Sequence, residues 1–269
     1  MLPVSEQYAV FIDIDGTLMK QNHEIPERNI RAILKAKEQG HKFFINTGRS
    51  LSNIPKSIIK ESGVDGVVCG DGTLVVYDGK MFEGEMVSDS VIRKVAEYVY
   101  ERPDVFCEFE GINKCYSFDG PRARYFPGDI NVGGVDELFD AIKGDKIQVM
   151  FISSNIDSSF KNEMSQYISF YDFGEFYDMV TVGSNKVQGI ERVLEITGIS
   201  REHTIAIGDS ENDKGMLEFC RIGACMGDGQ QILKNVADYI TVPHNEGGVG
   251  EAIEKYLISL DPELILKLQ

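Results

Sequence analysis

Positive charge is scarce in this chain: 27 Lys and Arg stand against 43 Asp and Glu, a formal net charge of −16. No broad basic surface can be assembled from that balance, so neither nucleic acid nor an anionic membrane is an expected partner. A small anionic ligand is still compatible, because it needs only one local positive site. Histidine is sparse too, and His23, His41, His203 and His244 have no metal-ligand spacing, so each reads as solvated or packed. Cys69, Cys107, Cys115, Cys220 and Cys225 are odd in number and contain no C-x-x-C pair. Free buried thiols are expected from them rather than a disulfide framework. No apolar run approaches a membrane span; IQVMFI at 147–152 is too short. The opening MLPVSEQY lacks the basic region and apolar stretch of a signal peptide. No internal repeat or low-complexity tract stands out. These absences leave a cytoplasmic, soluble enzyme as the expectation, and 269 residues allow one large or two smaller domains.

What is present is concentrated in YAVFIDIDGTL at 8–18. Tyr8 to Ile12 is apolar, bounded by polar residues and too short for a helix, which predicts a buried strand. Asp13 and Asp15 then fall where the strand meets a loop. In an open parallel sheet the carboxyl ends of strands are where ligands bind. Two carboxylates there repel each other unless a cation holds them together. A polar turn or a calcium loop is the plainer alternative. The calcium loop fits poorly, since its sixth position would be Leu18 instead of Gly and a strand precedes it.

Further along, the spacing of Ile30, Ile33 and Leu34 within 25–40 predicts an amphipathic helix stopped by Gly40. KFFIN at 42–46 reads as a strand, 51–62 as a helix and DGVVCG at 65–70 as a third strand. This alternation indicates a parallel α/β sheet. The rhythm changes near residue 73, where Asp78-Gly79 marks a hairpin. After it come a helix near 88–101, strands near 105–109 and 114–118, a Gly- and Pro-containing stretch at 119–134 and a short helix. A strand at 146–152 and a helix at 157–169 complete this part. Alternation resumes at Lys186 with helix 186–197, strand 204–208, helix 211–219, strand RIGACM, helix 229–236, strand DYITV and a final helix. The expected organisation is a discontinuous core, 1–83 plus 182–269, with an α+β insertion at 84–181 between its halves.

Three more features follow core strands. Thr47-Gly48 offers a hydroxyl and a close backbone N–H, suited to anionic oxygens, although an ordinary turn is the plainer reading. Lys186 opens a helix, where a cation opposes the helix dipole; that makes it more plausible as a charge partner for a ligand than as decoration. IAIGDSEND at 205–213 again runs a buried strand into carboxylates, Asp209 and Asp213, with Asn212 between them. Asp213 alone could equally complement the dipole of a first turn, and Asp209 could be an N-cap. Taken together, Asp13, the backbone carbonyl of Asp15 and Asp209 suit a Mg²⁺ ion that keeps several waters. Thr47, Gly48, Lys186 and Asn212 suit the remaining oxygens of a phosphate. A carboxylate attacking phosphorus would divide one hard displacement into two easier ones, and a second aspartate can protonate the leaving oxygen and then activate water.

The segments DIDGTL, TGR, Lys186 and GDSEND, in this order and spacing, resemble the haloacid dehalogenase superfamily, and more narrowly its Cof-type, sugar-phosphatase-like branch with a type IIB cap. The resemblance covers the whole chain. It implies a Rossmann-like parallel-sheet core with an inserted α+β (C2-type) cap. It also implies a Mg²⁺-dependent phosphomonoester hydrolase acting on small phosphorylated metabolites, sugar phosphates foremost, through an aspartyl phosphate. Asp13 would be the nucleophile and Asp15 the general acid/base. Asp13, the Asp15 backbone carbonyl and Asp209 would hold the metal. The Ile14 N–H, Thr47, Gly48, Lys186 and Asn212 would bind phosphate, with Asp213 supporting Lys186 or a metal water. Four places depart from the family pattern: Asp71-Gly72-Thr73 for Asn-Gly-Ala, Lys186-Val187 for Lys-Gly, MGDG at 226–229 for Met-Gly-Asn-Ala, and Gly247-Gly248-Val249 for Asp-Gly-Val. None removes a catalytic group. A phosphosugar mutase and a phosphometabolite-binding regulator are the alternatives.

Overall fold

The computed structural model describes residues 7–20, 22, 24–119 and 129–258. The chain begins β1 (Ala9–Ile12), α1 (Glu27–Glu38), β2 (Lys42–Asn46), α2 (Lys56–Ser62), β3 (Gly66–Cys69), β4 (Leu74–Tyr77) and β5 (Lys80–Glu83). It continues α3 (Asp89–Tyr100), β6 (Cys107–Gly111), β7 (Cys115–Phe118), β8 (Ile130–Val132), α4 (Val135–Ala141), β9 (Ile147–Ser153), α5 (Ser158–Met164), β10 (Ile168–Asp172) and β11 (Phe176–Thr181). It closes with α6 (Lys186–Thr197), β12 (Thr204–Gly208), α7 (Lys214–Phe219), β13 (Ile222–Cys225), α8 (Gln231–Lys234), β14 (Tyr239–Ile240) and α9 (Gly248–Tyr256).

Two sheets result. One runs β14-β13-β12-β1-β2-β3-β4-β5 and the other β10-β11-β9-β6-β7-β8. In the first, β14 through β3 are parallel and β4 and β5 are antiparallel. The second is antiparallel apart from the β7–β8 pair. This is an α/β fold in which a Rossmann-like sheet is interrupted between β5 and β12 by an α+β insertion. Strand β1 has β2 on one side and β12 on the other, so the connection order reverses beside it. A crevice at the carboxyl ends of β1 and β12 is the consequence.

The core strands are buried on both faces, as a parallel sheet covered by helices requires. Val10, Ile12, Phe43 and Ile45 belong to one apolar cluster, and Ala9, Phe11, Phe44 and Val68 to the other. The alternation along each strand thus divides its side chains between the two helical layers. The insertion has a separate cluster that includes Ile92, Val95, Phe109, Met150 and Met179. The hairpin at Asp78-Gly79 forms as expected, with φ of 51° and 69°, the left-handed pair that a two-residue turn needs.

Several expected elements are revised. The helix over 51–62 is split into a 3-10 turn at Leu51–Asn53 and α2, because Pro55 caps a new helix rather than continuing the turn. The helix over 157–169 stops at Met164, and the chain then forms the hairpin β10–β11, turning near Gly174 at φ 84°. Its aromatic, half-buried strands carry no strict polar alternation, which hid them in the sequence. Strand β8 lies inside the stretch expected to be irregular; residues 120–128 of that stretch are outside the described residues. On α1, Leu34 is 48% exposed and Asn29 takes a buried place instead. The Asn29 amide donates to the Leu18 carbonyl at 3.2 Å and its oxygen accepts from the Gly250 N–H at 2.8 Å. That side chain joins the β1 loop to α1 and α9.

All five cysteines are buried free thiols. His41 is buried and its Nδ1 accepts from the Tyr8 N–H at 3.2 Å. His203 packs on the Tyr8 ring, and His244 pairs with Asp228. His23 lies outside the described residues, as does the opening run before Gln7. No helix among the described residues is long and apolar enough to cross a membrane.

Candidate active site

Asp13 follows β1 directly, and its N–H continues the ladder by donating to the Ile207 carbonyl at 3.0 Å. The loop then winds tightly: the Ile14 carbonyl accepts from the N–H groups of Leu18 and Met19 at 3.1 and 3.2 Å. Gly16 allows this, since its φ is 77° and a Cβ there would meet the Asp209 carboxylate at 2.6 Å. The two carboxylate-bearing strand ends therefore approach through a glycine. Thr17 adds a hydrogen bond from its hydroxyl to Asp209 Oδ1 at 3.0 Å.

Lys186 reaches the same point from α6. Asn185 caps this helix, its side-chain oxygen accepting from the N–H groups of Val187 at 2.9 Å and Gln188 at 3.2 Å. Gly189 lets the helix lie directly against β3, because a Cβ there would meet Val68 Cγ1 at 2.1 Å. The Lys186 ammonium, 2% exposed, then sits between Asp13 Oδ1 at 2.7 Å and Asp213 Oδ1 at 2.5 Å. Burial works against its charge, but Asp13, Asp213 and Asp71 outweigh that and hold it well above its ordinary value. The other oxygen of Asp213 accepts from the N–H groups of Asp209 and Ser210 at 2.9 and 3.2 Å. Asp213 thus closes the first turn after β12 and positions the lysine at once.

Asp13, Asp209 and Asp213 each offer an oxygen within 4.8 Å of the others. Burial raises the Asp13 carboxyl, with Lys186 opposing and Asp213 and Asp209 adding to the rise. Burial and Asp213 push Asp209 up to about 6, against the Thr17 hydrogen bond and Lys186. Crowded carboxylates of this kind are stabilised by a hard cation, and their oxygens suit Mg²⁺. Asp213 is already committed to Lys186 and two backbone N–H groups, so Asp13 and Asp209 are the side chains of this cluster that could hold such a cation. The Asp15 side chain is not in this cluster. It is 52% exposed and pairs bidentately with Arg49, Nε to Oδ2 at 2.7 Å and Nη2 to Oδ1 at 2.8 Å.

Thr47 and Gly48 follow β2, and Asn212 sits in the 3-10 turn after β12, its Oδ1 accepting from the Ser210 hydroxyl at 2.7 Å. Asp13, Asp15, Thr47, Gly48, Asp209 and Asn212 line one cleft of about 560 Å³. The expected residues are therefore brought together, with Lys186 and Asp213 buried beneath Asp13 and Ile14 turned into the core. Sequence reasoning assigned no role to Thr17 and Arg49, although both lie in the quoted motifs. It passed over Glu110 on β6 and Asp178 on β11, which line the opposite wall. The signal for these two was an acidic residue beside aromatic ones, Glu110 in CEFEG and Asp178 in FYDMVT. Asp71, at a place where the resemblance has Asn, is 5% exposed with φ 49°, and burial pushes its carboxyl up to about 6.

Comparisons with known proteins agree with this architecture. The sequence model of the haloacid dehalogenase-like hydrolases matches residues 10–253. YkrA of Bacillus subtilis is 28% identical over 256 residues, covering 91% of this chain and 96% of its own. The 5-amino-6-(5-phospho-D-ribitylamino)uracil phosphatase YitU of Bacillus subtilis is 25% identical, covering 94% and 98%. The solved structure of the HAD subclass IIB sugar phosphatase BT4131 superposes with a TM-score of 0.78 at 24% identity, over 93% of this chain and 99% of that one. The chain is an enzyme that belongs to the haloacid dehalogenase-like hydrolases.

Proposed function

We propose that this enzyme hydrolyses phosphate monoesters of small cytoplasmic metabolites, sugar phosphates foremost, through a phosphoryl group carried on Asp13. The observation that carries the reading is the buried Asp13–Lys186 pair at the end of the central strand, beside Asp209 and the Thr47-Gly48 turn. Lys186 fixes one Asp13 oxygen, so the carboxylate enters the reaction already oriented. Asp13 attacks phosphorus and the ester oxygen leaves. Asp15 gives that oxygen its proton and then takes one from the water that hydrolyses the acyl phosphate. Arg49 holds the Asp15 carboxylate, so proton transfer by Asp15 requires one of the two to turn away. Thr47, the N–H groups of Ile14 and Gly48, Asn212 and Lys186 bind the phosphoryl oxygens. A Mg²⁺ held by Asp13, Asp209 and the Asp15 carbonyl would supply charge neutralisation at the transferring group. Residues 1–83 and 182–269 act as the chemical core and 84–181 as a cap that meets the leaving group.

Among the described residues lining the cleft, Arg49 is the one cation, and its guanidinium is engaged by Asp15 and by the Asn53 carbonyl. A screen of phosphorylated metabolites by phosphate release tests the assignment, and isomerised sugar without phosphate release would favour the mutase. Turnover should also vanish in EDTA-treated buffer and return on adding Mg²⁺, because the ligating groups are hard oxygens without clustered His or Cys. Full activity in metal-free buffer would contradict the metal assignment.

A further inference from the structure

The wall of the cleft that faces the leaving group has a chemistry of its own. It comes from the six-stranded sheet: Glu110 on β6, Phe151 on β9, Phe176 and Asp178 on β11, and Phe173 in the turn before β11. Phe151 and Phe176 lie with ring centroids 4.2 Å apart, and Phe173 stacks on Phe176 at 5.2 Å, forming one aromatic face. Asp178 is paired with Phe151 in the β11–β9 register. The Glu110 carboxylate is 5% exposed and is aimed by the Ser50 N–H at 3.3 Å and the Asn53 amide at 2.9 Å. These two donors leave it further accepting capacity. Asp178, half-buried, has no hydrogen bond or ion pair to its side chain among the described residues.

A leaving group therefore meets two carboxyl groups and an aromatic face. A carboxylate or phosphate on the leaving group would oppose the ionisation of both carboxyls. An ammonium would gain charge-assisted hydrogen bonds from the carboxylates and attraction from the aromatic faces. We propose that this pocket selects phosphomonoesters whose alcohol half carries a protonated amine, with Asp178 as the principal acceptor and Glu110 as the second. Burial pushes the Asp178 carboxyl up to about 8, with Glu110, Asp71 and Asp15 adding to the rise and Arg49 opposing it. A carboxyl raised that far is largely protonated at neutral pH until a cation arrives, and a bound ammonium favours its ionised form.

The inference rests on the phosphatase reading for the reaction and on the pocket alone for the selection. The test compares glucosamine 6-phosphate, glucose 6-phosphate and 6-phosphogluconate on the Mg²⁺-loaded enzyme. The amine ester should exceed the hydroxyl ester in kcat/KM by about tenfold, the effect of one charge-assisted hydrogen bond, and the carboxylate ester should fall below both. Asp178→Asn keeps the side-chain shape and should bring the amine-to-hydroxyl ratio towards one. A wild-type ratio of one or less, or an unchanged ratio in folded Asp178→Asn, overturns the proposal. If Asp178→Asn does not fold, the wild-type order across the three compounds decides. If the folded wild type turns over no ester, p-nitrophenyl phosphate included, the phosphatase reading fails. Calorimetric affinities for the same three compounds then decide the selection, the same order upholding it and equal or reversed affinities overturning it.

Discussion

Asp13→Asn should abolish turnover of every phosphate ester while the protein stays folded. The amide is a poor nucleophile, and it is also a weaker ligand for a hard cation. The geometry makes the loss general, because Asp13 is the carboxylate where β1, Lys186 and the cleft meet. Removing a nucleophile from an assembled site lowers kcat by ~10⁴-fold or more. The fold should survive, since Asn fills the same volume and Lys186 keeps Asp213 as a buried counter-ion. Steady-state assay with p-nitrophenyl phosphate, with circular dichroism as the check on folding, measures both. A purified variant retaining near-normal kcat would show that Asp13 does not attack phosphorus.

Lys186→Ala should be the most damaging substitution that leaves every carboxylate in place. Its ammonium is buried between Asp13 and Asp213, and breaking such a pair from one side costs about 3–5 kcal/mol before the carboxyls respond. They respond by taking up protons. Lys186 is the charge that opposes the burial-driven rise of Asp13, so its loss moves the Asp13 carboxyl still higher. The nucleophile must be ionised to attack. The acidic limb of kcat/KM should therefore move to higher pH in the variant, and turnover should fall by ~10²–10³-fold even on the plateau. All esters should suffer alike, because the lysine acts on the phosphoryl group they share. A variant that lost one substrate and kept the others, or whose acidic limb stayed in place, would contradict this role.

Much of this site was legible in the sequence because Asp13, Thr47 and Asp209 each follow a core strand. Asp13, Thr47 and Asp209 are adjacent in space only because β2, β1 and β12 are neighbours in one parallel sheet, and that order follows from the alternation of strand and helix. The burial of Lys186 was less legible. A lysine opening a helix is ordinarily exposed, and only the close seat of Gly189 on Val68 brings it under Asp13. The Arg49 grip on Asp15 was visible as a motif residue but not as a contact, since it depends on how the loop after β2 turns. The sequence reading ran a helix to residue 169 and assigned no element to 170–181, so the hairpin β10–β11 and its Asp178 wall were lost from view. Its strands are stabilised by pairing with β9, far away in sequence, rather than by a local pattern.

The central claim is a covalent bond between Asp13 and phosphorus. Quenching the enzyme in acid during turnover, reducing with borohydride and mapping the peptides by mass spectrometry tests it directly. Reduction of an acyl phosphate at this position yields homoserine in place of Asp13, and the account predicts that product only when substrate was present at the quench. An enzyme that turns over its substrate yet shows unmodified Asp13, or carries the modification on another carboxylate, would contradict it.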